Sequence, residues 1–125
     1  MTFARRVFWI AGIYGLVVLL PQYFLEGRIG HDEPPPITHP EFFYGFLGLA
    51  TAWQIAFLLM ASDLARYRVL IIPSILEKFS FAAAAVVLFL LGRVSATVLG
   101  FGTIDFVCGL FFVEAYRQTK PTAIQ

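Results

Sequence analysis

Three ionisable side chains interrupt otherwise apolar stretches of the sequence, and they are the residues best placed to do chemistry. Glu77 and Lys78 are adjacent in one apolar stretch, and Asp105 lies within the next. Ionisable groups inside a membrane span are costly, so they face a partner or a site rather than lipid. The pattern predicts an ion pair between Lys78 and Asp105. Glu77 points about 100° away from Lys78 on a helix, so we expect it to pair poorly with Lys78 and to lie near Gln54 or Tyr14.

The other apolar stretches add a phenol, an indole and an amide, from Tyr14, Trp53 and Gln54. At about 1.5 Å per residue, Tyr14, Gln54, Glu77 and Asp105 all lie roughly 11–16 Å from the same face of a membrane. The sequence therefore predicts a polar layer at one level. Under a ligand-binding hypothesis, this layer lines a cavity for an apolar lipid-, sterol- or quinone-like molecule. The candidate ligand-binding residues are Tyr14, Trp53, Gln54, Glu77, Lys78 and Asp105.

The same polar layer has a second interpretation, in which it fixes helix order and register and binds nothing. The chain would then be an accessory subunit of a larger membrane protein complex, with its aromatic surface covering other subunits. At 125 residues with little mass outside the apolar stretches, the chain suits this role as well. The sequence leaves both interpretations open.

The elements that must position these residues are four membrane-spanning helices. The chain is 59% hydrophobic and 14% charged, whereas soluble domains are about 45–50% apolar and about 25% charged. The predicted spans are residues 7–25, 41–61, 69–91 and 95–116, with an outer loop at 26–40, in a single integral membrane domain covering 1–125. Each run is about as long as a spanning helix needs. We predict an all-α, four-transmembrane-helix bundle, because single helices satisfy their own backbone groups in lipid.

Basic residues flanking the spans predict the orientation. With the N-terminus inside, the cytoplasmic side holds Arg5, Arg6, Arg66, Arg68, Arg117 and Lys120, and the opposite side holds Arg28 and Arg93. Lysine and arginine concentrate in cytoplasmic flanks. We therefore expect both termini to be cytoplasmic.

Small residues and a capping pattern predict details of packing. Ala11 and Gly15 in the first span recur at the four-residue spacing that permits close helix contact, as do Gly48, Ala52 and Ala56 in the second. Thr38 and Glu41 have the spacing of a capping box, with Pro40 in the first turn. This pattern predicts that the helix containing the second span starts at Thr38, just before the apolar run.

The sequence contains only weak signals for metal, nucleic-acid and catalytic sites. His31, Asp32, His39 and Glu41 offer metal-binding atoms, but their spacing matches no defined zinc pattern, and we predict neither a metal nor a cofactor. A net charge of +1 argues against a nucleic-acid partner. The sequence has no serine-nucleophile, phosphate-loop or dinucleotide motif. We predict no catalytic residue, so a non-enzymatic role is favoured while an enzymatic one stays open.

The layout resembles two groups of small four-helix membrane proteins. Its size, short N-terminus and inside–inside topology are similar to those of the bacterial DoxX-like proteins. The residues 40–44, Pro-Glu-Phe-Phe-Tyr, with Trp53-Gln54 and residues 68–73, resemble the EXPERA group of sterol isomerases and sigma-2-receptor-like proteins. The histidine and acid pattern of the isomerases is not matched within the spans. These resemblances imply a bacterial inner-membrane protein that contacts lipid and holds an apolar ligand in the bundle.

Overall fold

The chain folds into helices joined by short connections. The computed structural model describes residues 2–120, and no strand occurs within them. The α-helices are α1 (Phe3–Leu19), α2 (Glu26–Asp32), α3 (Pro40–Ser62), α4 (Ile71–Leu90) and α5 (Ala96–Gln118), with 3₁₀ turns at Leu20–Phe24 and Arg68–Leu70. Four helical segments are long and apolar enough to cross a membrane: Phe3–Phe24, Pro40–Ser62, Arg68–Leu90 and Ala96–Gln118. The all-α, four-span prediction is confirmed.

The first span begins earlier than the apolar run suggested. The Thr2 side chain accepts a hydrogen bond from the backbone N–H of Arg5 at 3.3 Å and so caps α1. The α-helix ends at Leu19 because Pro21 has no N–H to continue the hydrogen-bond ladder, and the span finishes as a 3₁₀ turn. The loop between the first two spans also contains α2, which the sequence did not predict.

The predicted capping box at the start of the second span is wrong. His39 is the N-cap residue of α3, and no side chain caps this helix. Pro40 occupies the first helical turn, where its fixed φ suits the start of a helix, and it holds His39 out of the helical region. Glu41 contacts the His39 ring instead, at 2.9 Å from Nδ1. The helix therefore begins at Pro40 and not at Thr38.

The four spanning helices alternate in direction. Nε of Arg5 donates a hydrogen bond to the carbonyl oxygen of Ala61 at 2.7 Å. Nε of Arg68 likewise donates to the carbonyl oxygen of Thr119 at 2.6 Å. The start of α1, the end of α3, the start of α4 and the end of α5 thus share one end of the bundle, which we call the terminal end. Helix α1 packs against both α3 and α5, and α4 packs against α5.

An aromatic core joins the helices near the terminal end. Phe8 of α1 stacks on Phe112 of α5 with ring centroids 4.3 Å apart. Phe57 of α3 packs edge-on against both rings, at 5.7 Å from Phe8 and 5.2 Å from Phe112. All three side chains are fully buried. The core extends through Ala4, Ala11, Met60, Ala61, Leu64, Ile71 and Ala115. We refer to this cluster as the aromatic core.

Toward the other end of the bundle, helices meet in pairs through small residues. Gly15 of α1 lies directly against the Gln54 side chain of α3, so a Cβ there would overlap the amide. Gly102 of α5 lies against α4, where a Cβ would stand 2.5 Å from the Cβ of Ala85. Missing side chains at such positions let helix backbones approach closely. The predicted contacts of Ala11 and Gly15 in the first span are confirmed, since both residues are buried.

The predicted small-residue contact of the second span is wrong. Gly48 and Ala52 are exposed, and Ala56 is only half-buried. The buried face of α3 instead carries Leu47, Gln54, Phe57, Met60 and Ala61. The larger side chains of this face fill the space toward α1 and the aromatic core, so the small residues are left on the outside.

Candidate functional site

The ionisable residues of the spans lie where α4 and α5 face each other. The buried face of α4 includes Ser74, Lys78, Ala82 and Ala85, and the matching face of α5 includes Gly102, Gly109 and Phe112. Asp105 lies between the two glycines at helical spacing, so it shares their face. Gly109 lies against the Phe79 ring of α4, just as Gly102 lies against Ala85. This close approach brings the Asp105 carboxylate to the level of Lys78.

Lys78 lies between two carboxylates. Its Nζ is 3.6 Å from Oδ1 of Asp105 and 3.7 Å from Oε2 of Glu77. The predicted pair between Lys78 and Asp105 is confirmed. The expectation that Lys78 and Glu77 pair poorly is corrected, because the long lysine side chain brings its ammonium group within reach of both acids. We call these three residues the ion cluster.

The ion cluster is only partly enclosed. The Lys78 side chain is 5% exposed, whereas those of Glu77 and Asp105 are 28% and 17% exposed. Glu77 and Asp105 are each the tenth residue of a 23-residue span, so both lie close to the middle of the membrane. Two carboxylates against one ammonium leave one formal negative charge in excess when all three groups are ionised. The arrangement can therefore take up a proton, a cation or a group that donates hydrogen bonds.

A residue that the sequence did not single out joins the ion cluster to the aromatic core. Nζ of Lys78 lies 5.4 Å from the centroid of the Phe57 ring. A cation at this distance from a ring face is attracted by the ring quadrupole. The signal in the sequence was the spacing between Gln54 and Phe57, which places both on one face of α3. The basic side chain is thus held by contacts from α3, α4 and α5.

The remaining predicted site residues are arranged differently around the ion cluster. Tyr14 is half-buried on α1. Gln54 is 2% exposed and donates its amide N–H to the carbonyl oxygen of Ala50 on its own helix at 3.0 Å. Trp53 packs toward the aromatic core, with its ring 6.2 Å from that of Phe57.

Glu77 does not find the partner that we expected for it. Within residues 2–120 it makes no hydrogen bond with Gln54 or Tyr14, and its buried Oε2 has no hydrogen-bond partner. The physical reason is that Gln54 is turned toward its own backbone and packs on Gly15 of α1. Glu77 relies on the ammonium group of Lys78 instead.

The two histidines and the acids next to them form two separate pairs. His31 contacts Asp32 at 3.2 Å, and His39 contacts Glu41 at 2.9 Å. No group of three or more His, Cys, Asp or Glu residues able to hold a metal ion occurs in the part of the chain that the structure describes. All four of these side chains are exposed. The structure does not bring them together as one site.

No protein family model, curated protein or solved structure matches this chain.

Proposed function

We propose that this small integral membrane protein binds an amphipathic, lipid-like molecule, with the polar head of that molecule at the ion cluster. The observation that carries the proposal is the exposure of Glu77 and Asp105, at 28% and 17% of their side chains, in the middle of two apolar spans. A charged group facing hydrocarbon costs about 2.5–3.5 kcal/mol on insertion scales. A polar head group that covers these carboxylates would remove that cost.

The surroundings of the ion cluster suit the apolar part of such a molecule. Phe79 and Phe106 directly follow Lys78 and Asp105 on α4 and α5, with ring centroids 5.6 Å apart, and Phe106 is 49% exposed. Sites for small molecules are mostly apolar, with a few placed polar groups that fix orientation. An ionic cluster beside two aromatic side chains has this combination of polar and apolar groups.

The partly exposed carboxylates favour a head group that donates hydrogen bonds. The side chains of Glu77 and Asp105 are 28% and 17% exposed, although Oε2 of Glu77 is itself buried and faces Lys78. Carboxylate oxygens accept hydrogen bonds and cannot donate them. A lipid or sterol bearing a hydroxyl or amino group therefore suits Glu77 better than a quinone, whose carbonyls only accept.

The proposal is tested by native mass spectrometry of the full chain extracted in a mild detergent. We expect the parent protein to carry a small molecule, and the double variant Glu77→Gln/Asp105→Asn to lose it. Both substitutions keep side-chain size while removing charge. The triple variant that adds Lys78→Met leaves no unpaired lysine, so loss of the molecule from it as well excludes destabilisation by an unpaired Lys78 as the cause. Glu114→Gln is the matched control, because Glu114 is a carboxylate near the terminal end that pairs with Arg117 at 3.0 Å.

Three results separate the interpretations. A lone chain with a bound small molecule that survives Glu114→Gln but not the double variant supports the proposal. A stoichiometric protein partner supports the accessory-subunit interpretation and counts against ligand binding. A bare chain, or a bound molecule that the double variant retains, overturns the assignment of the ion cluster as its site.

A further inference from the structure

We propose that a groove between α1 and α3 at the terminal end binds the phosphate head group of an anionic phospholipid. The groove is about 230 Å³ in volume and is lined by Arg5, Trp9, Leu58, Ala61 and Ser62. None of these residues belongs to the ion cluster. The inference therefore stands independently of the ligand proposed for that cluster.

The groove changes from polar to apolar along the membrane normal. Arg5 and Ser62 lie at the terminal end, and Trp9 and Leu58 each lie four residues deeper in their helices, about 6 Å further along the axis. Indole rings favour the zone between head groups and acyl chains. A phospholipid has the same order of chemistry, with the phosphate outermost and the chains toward the middle of the bilayer.

Arg5 has donors to offer an anion. A guanidinium group carries five N–H donors, and the hydrogen bond from Arg5 to the carbonyl oxygen of Ala61 uses the one on Nε. No carboxylate lies within ion-pair distance of Arg5 in residues 2–120. The nearby Asp63 instead accepts a hydrogen bond from the backbone N–H of Arg66 at 3.2 Å. The Ala61 contact also fixes the guanidinium in place, which lowers the entropic cost of binding.

Charge is distributed unequally between the two ends of the bundle. The terminal end carries six basic residues and two acidic ones, namely Arg5, Arg6, Arg66, Arg68, Arg117 and Lys120 against Asp63 and Glu114. The opposite end carries two basic residues and four acidic ones, namely Arg28 and Arg93 against Glu26, Asp32, Glu33 and Glu41. The groove thus opens at the end of the molecule where an anion is favoured.

The size of the groove indicates that it takes a head group and not a whole ligand. Pockets that enclose drug-sized molecules run to about 300–1,000 Å³, and this groove is smaller and open on one side. A phosphate group would be held while the acyl chains extend along the outside of α1 and α3. Neutral zwitterionic lipids fit the same shape but gain less from Arg5.

Fluorescence quenching in bilayers tests the proposal, because Trp9 lines the groove. The chain has two tryptophans, so Trp53→Phe leaves Trp9 as the reporter. This variant is placed in phosphatidylcholine vesicles that contain a small fraction of brominated phosphatidylglycerol or of brominated phosphatidylcholine. We expect quenching to show that brominated phosphatidylglycerol is enriched at Trp9 about fivefold over brominated phosphatidylcholine. One basic residue attracts an anionic lipid by about 1 kcal/mol, which corresponds to about this ratio.

Two substitutions and one matched control make the result specific. In the Trp53→Phe background, Arg5→Gln is expected to bring the enrichment near one. Ser62→Asp is expected to do the same while leaving Arg5 and its contact to Ala61 in place. Arg6→Gln removes the same charge from an exposed neighbour outside the groove, and it should keep most of the preference.

Equal losses from Arg5→Gln and Arg6→Gln would mean that a diffuse positive field attracts the lipid, and they would overturn the site. The absence of any phosphatidylglycerol preference in the parent would overturn it as well. Competition by inorganic phosphate at millimolar concentration would show that the groove binds a free anion, which contradicts a phospholipid site. A preference that survives added phosphate supports the proposal.

Discussion

The aromatic core and the ion cluster both hold neighbouring helices together, the first through apolar rings and the second through charged side chains. In the core, the rings of Phe8, Phe57 and Phe112 fill the space between α1, α3 and α5, and each is fully buried. In the ion cluster, one ammonium group serves two carboxylates that are still partly exposed. The core is complete without any other molecule, whereas the cluster retains charge in excess and an acceptor atom without a hydrogen-bond partner.

The comparison shows which region of the bundle is built for stability alone. Helices in lipid gain little from hydrophobic burial, so close packing and polar contacts must hold them together. The core supplies packing at the terminal end, and beyond the ion cluster α4 and α5 touch through residues as small as Gly102 and Ala85. The cluster lies between these two regions, and Lys78 touches the core through Phe57.

The largest effect is expected from Lys78→Met, which leaves both Glu77 and Asp105 without a cation. Breaking a buried pair from one side typically costs 3–5 kcal/mol, and we expect a loss of about 4 kcal/mol in the free energy of unfolding. Asp105→Asn should cost clearly less, because Lys78 keeps Glu77 as its partner. Unfolding of both variants in lipid bicelles measures the difference.

A triple variant serves as the control for this asymmetry. Glu77→Gln/Lys78→Met/Asp105→Asn removes every charge of the ion cluster, so it should recover much of the stability that Lys78→Met loses. Equal costs for Lys78→Met and Asp105→Asn would contradict a three-membered cluster and leave a simple pair.

Phe112→Ala is expected to have the next largest effect, because it empties the centre of the aromatic core. Large-to-small changes of a buried phenylalanine cost about 3–5 kcal/mol in soluble proteins. In a membrane the variant loses packing contacts but not the free energy of transferring the ring out of water. We therefore expect a loss of about 3 kcal/mol in the free energy of unfolding. Phe101→Ala is the matched control on the same helix, since Phe101 is 42% exposed. A similar loss from both variants in the same bicelle assay would mean that the core does not dominate stability.

Gly102→Ala is expected to have the smallest effect of the three. The added Cβ would lie 2.5 Å from the Cβ of Ala85, which cannot rotate away, so α4 and α5 must separate slightly. Overpacking of this kind costs about 1–3 kcal/mol, and we expect a value near the lower end. Gly100→Ala is the control, because nothing lies within 4 Å of its added Cβ. That change should be neutral or stabilising, since alanine favours a helix more than glycine does.

If unfolding measurements show that Gly100→Ala destabilises the protein more than Gly102→Ala, α5 does not face α4 as described.

The sequence by itself determined the class of the protein and part of its site. Four apolar runs of spanning length admit only helices in lipid, and the structure has those four spans. The pair of Lys78 with Asp105 was also predictable, because each residue is costly in its span without an opposite charge. Depth along a helix follows from residue number, so the common level of these two residues could be calculated.

Only the tertiary structure decided how the helices are rotated and what completes the ion cluster. Glu77 joins Lys78 at 3.7 Å because a flexible lysine side chain can span the angle between neighbouring helical positions. Gln54, although at a similar calculated depth, turns to its own helix and packs on Gly15. Periodicity shows which residues share a face of a helix. When nearly every residue is apolar, it does not show which face meets a neighbouring helix. Gly48 and Ala52 share a face of α3, for example, but that face lies on the outside of the bundle. That choice depends on how side chains of all four helices fill a shared space, which no single segment of sequence specifies.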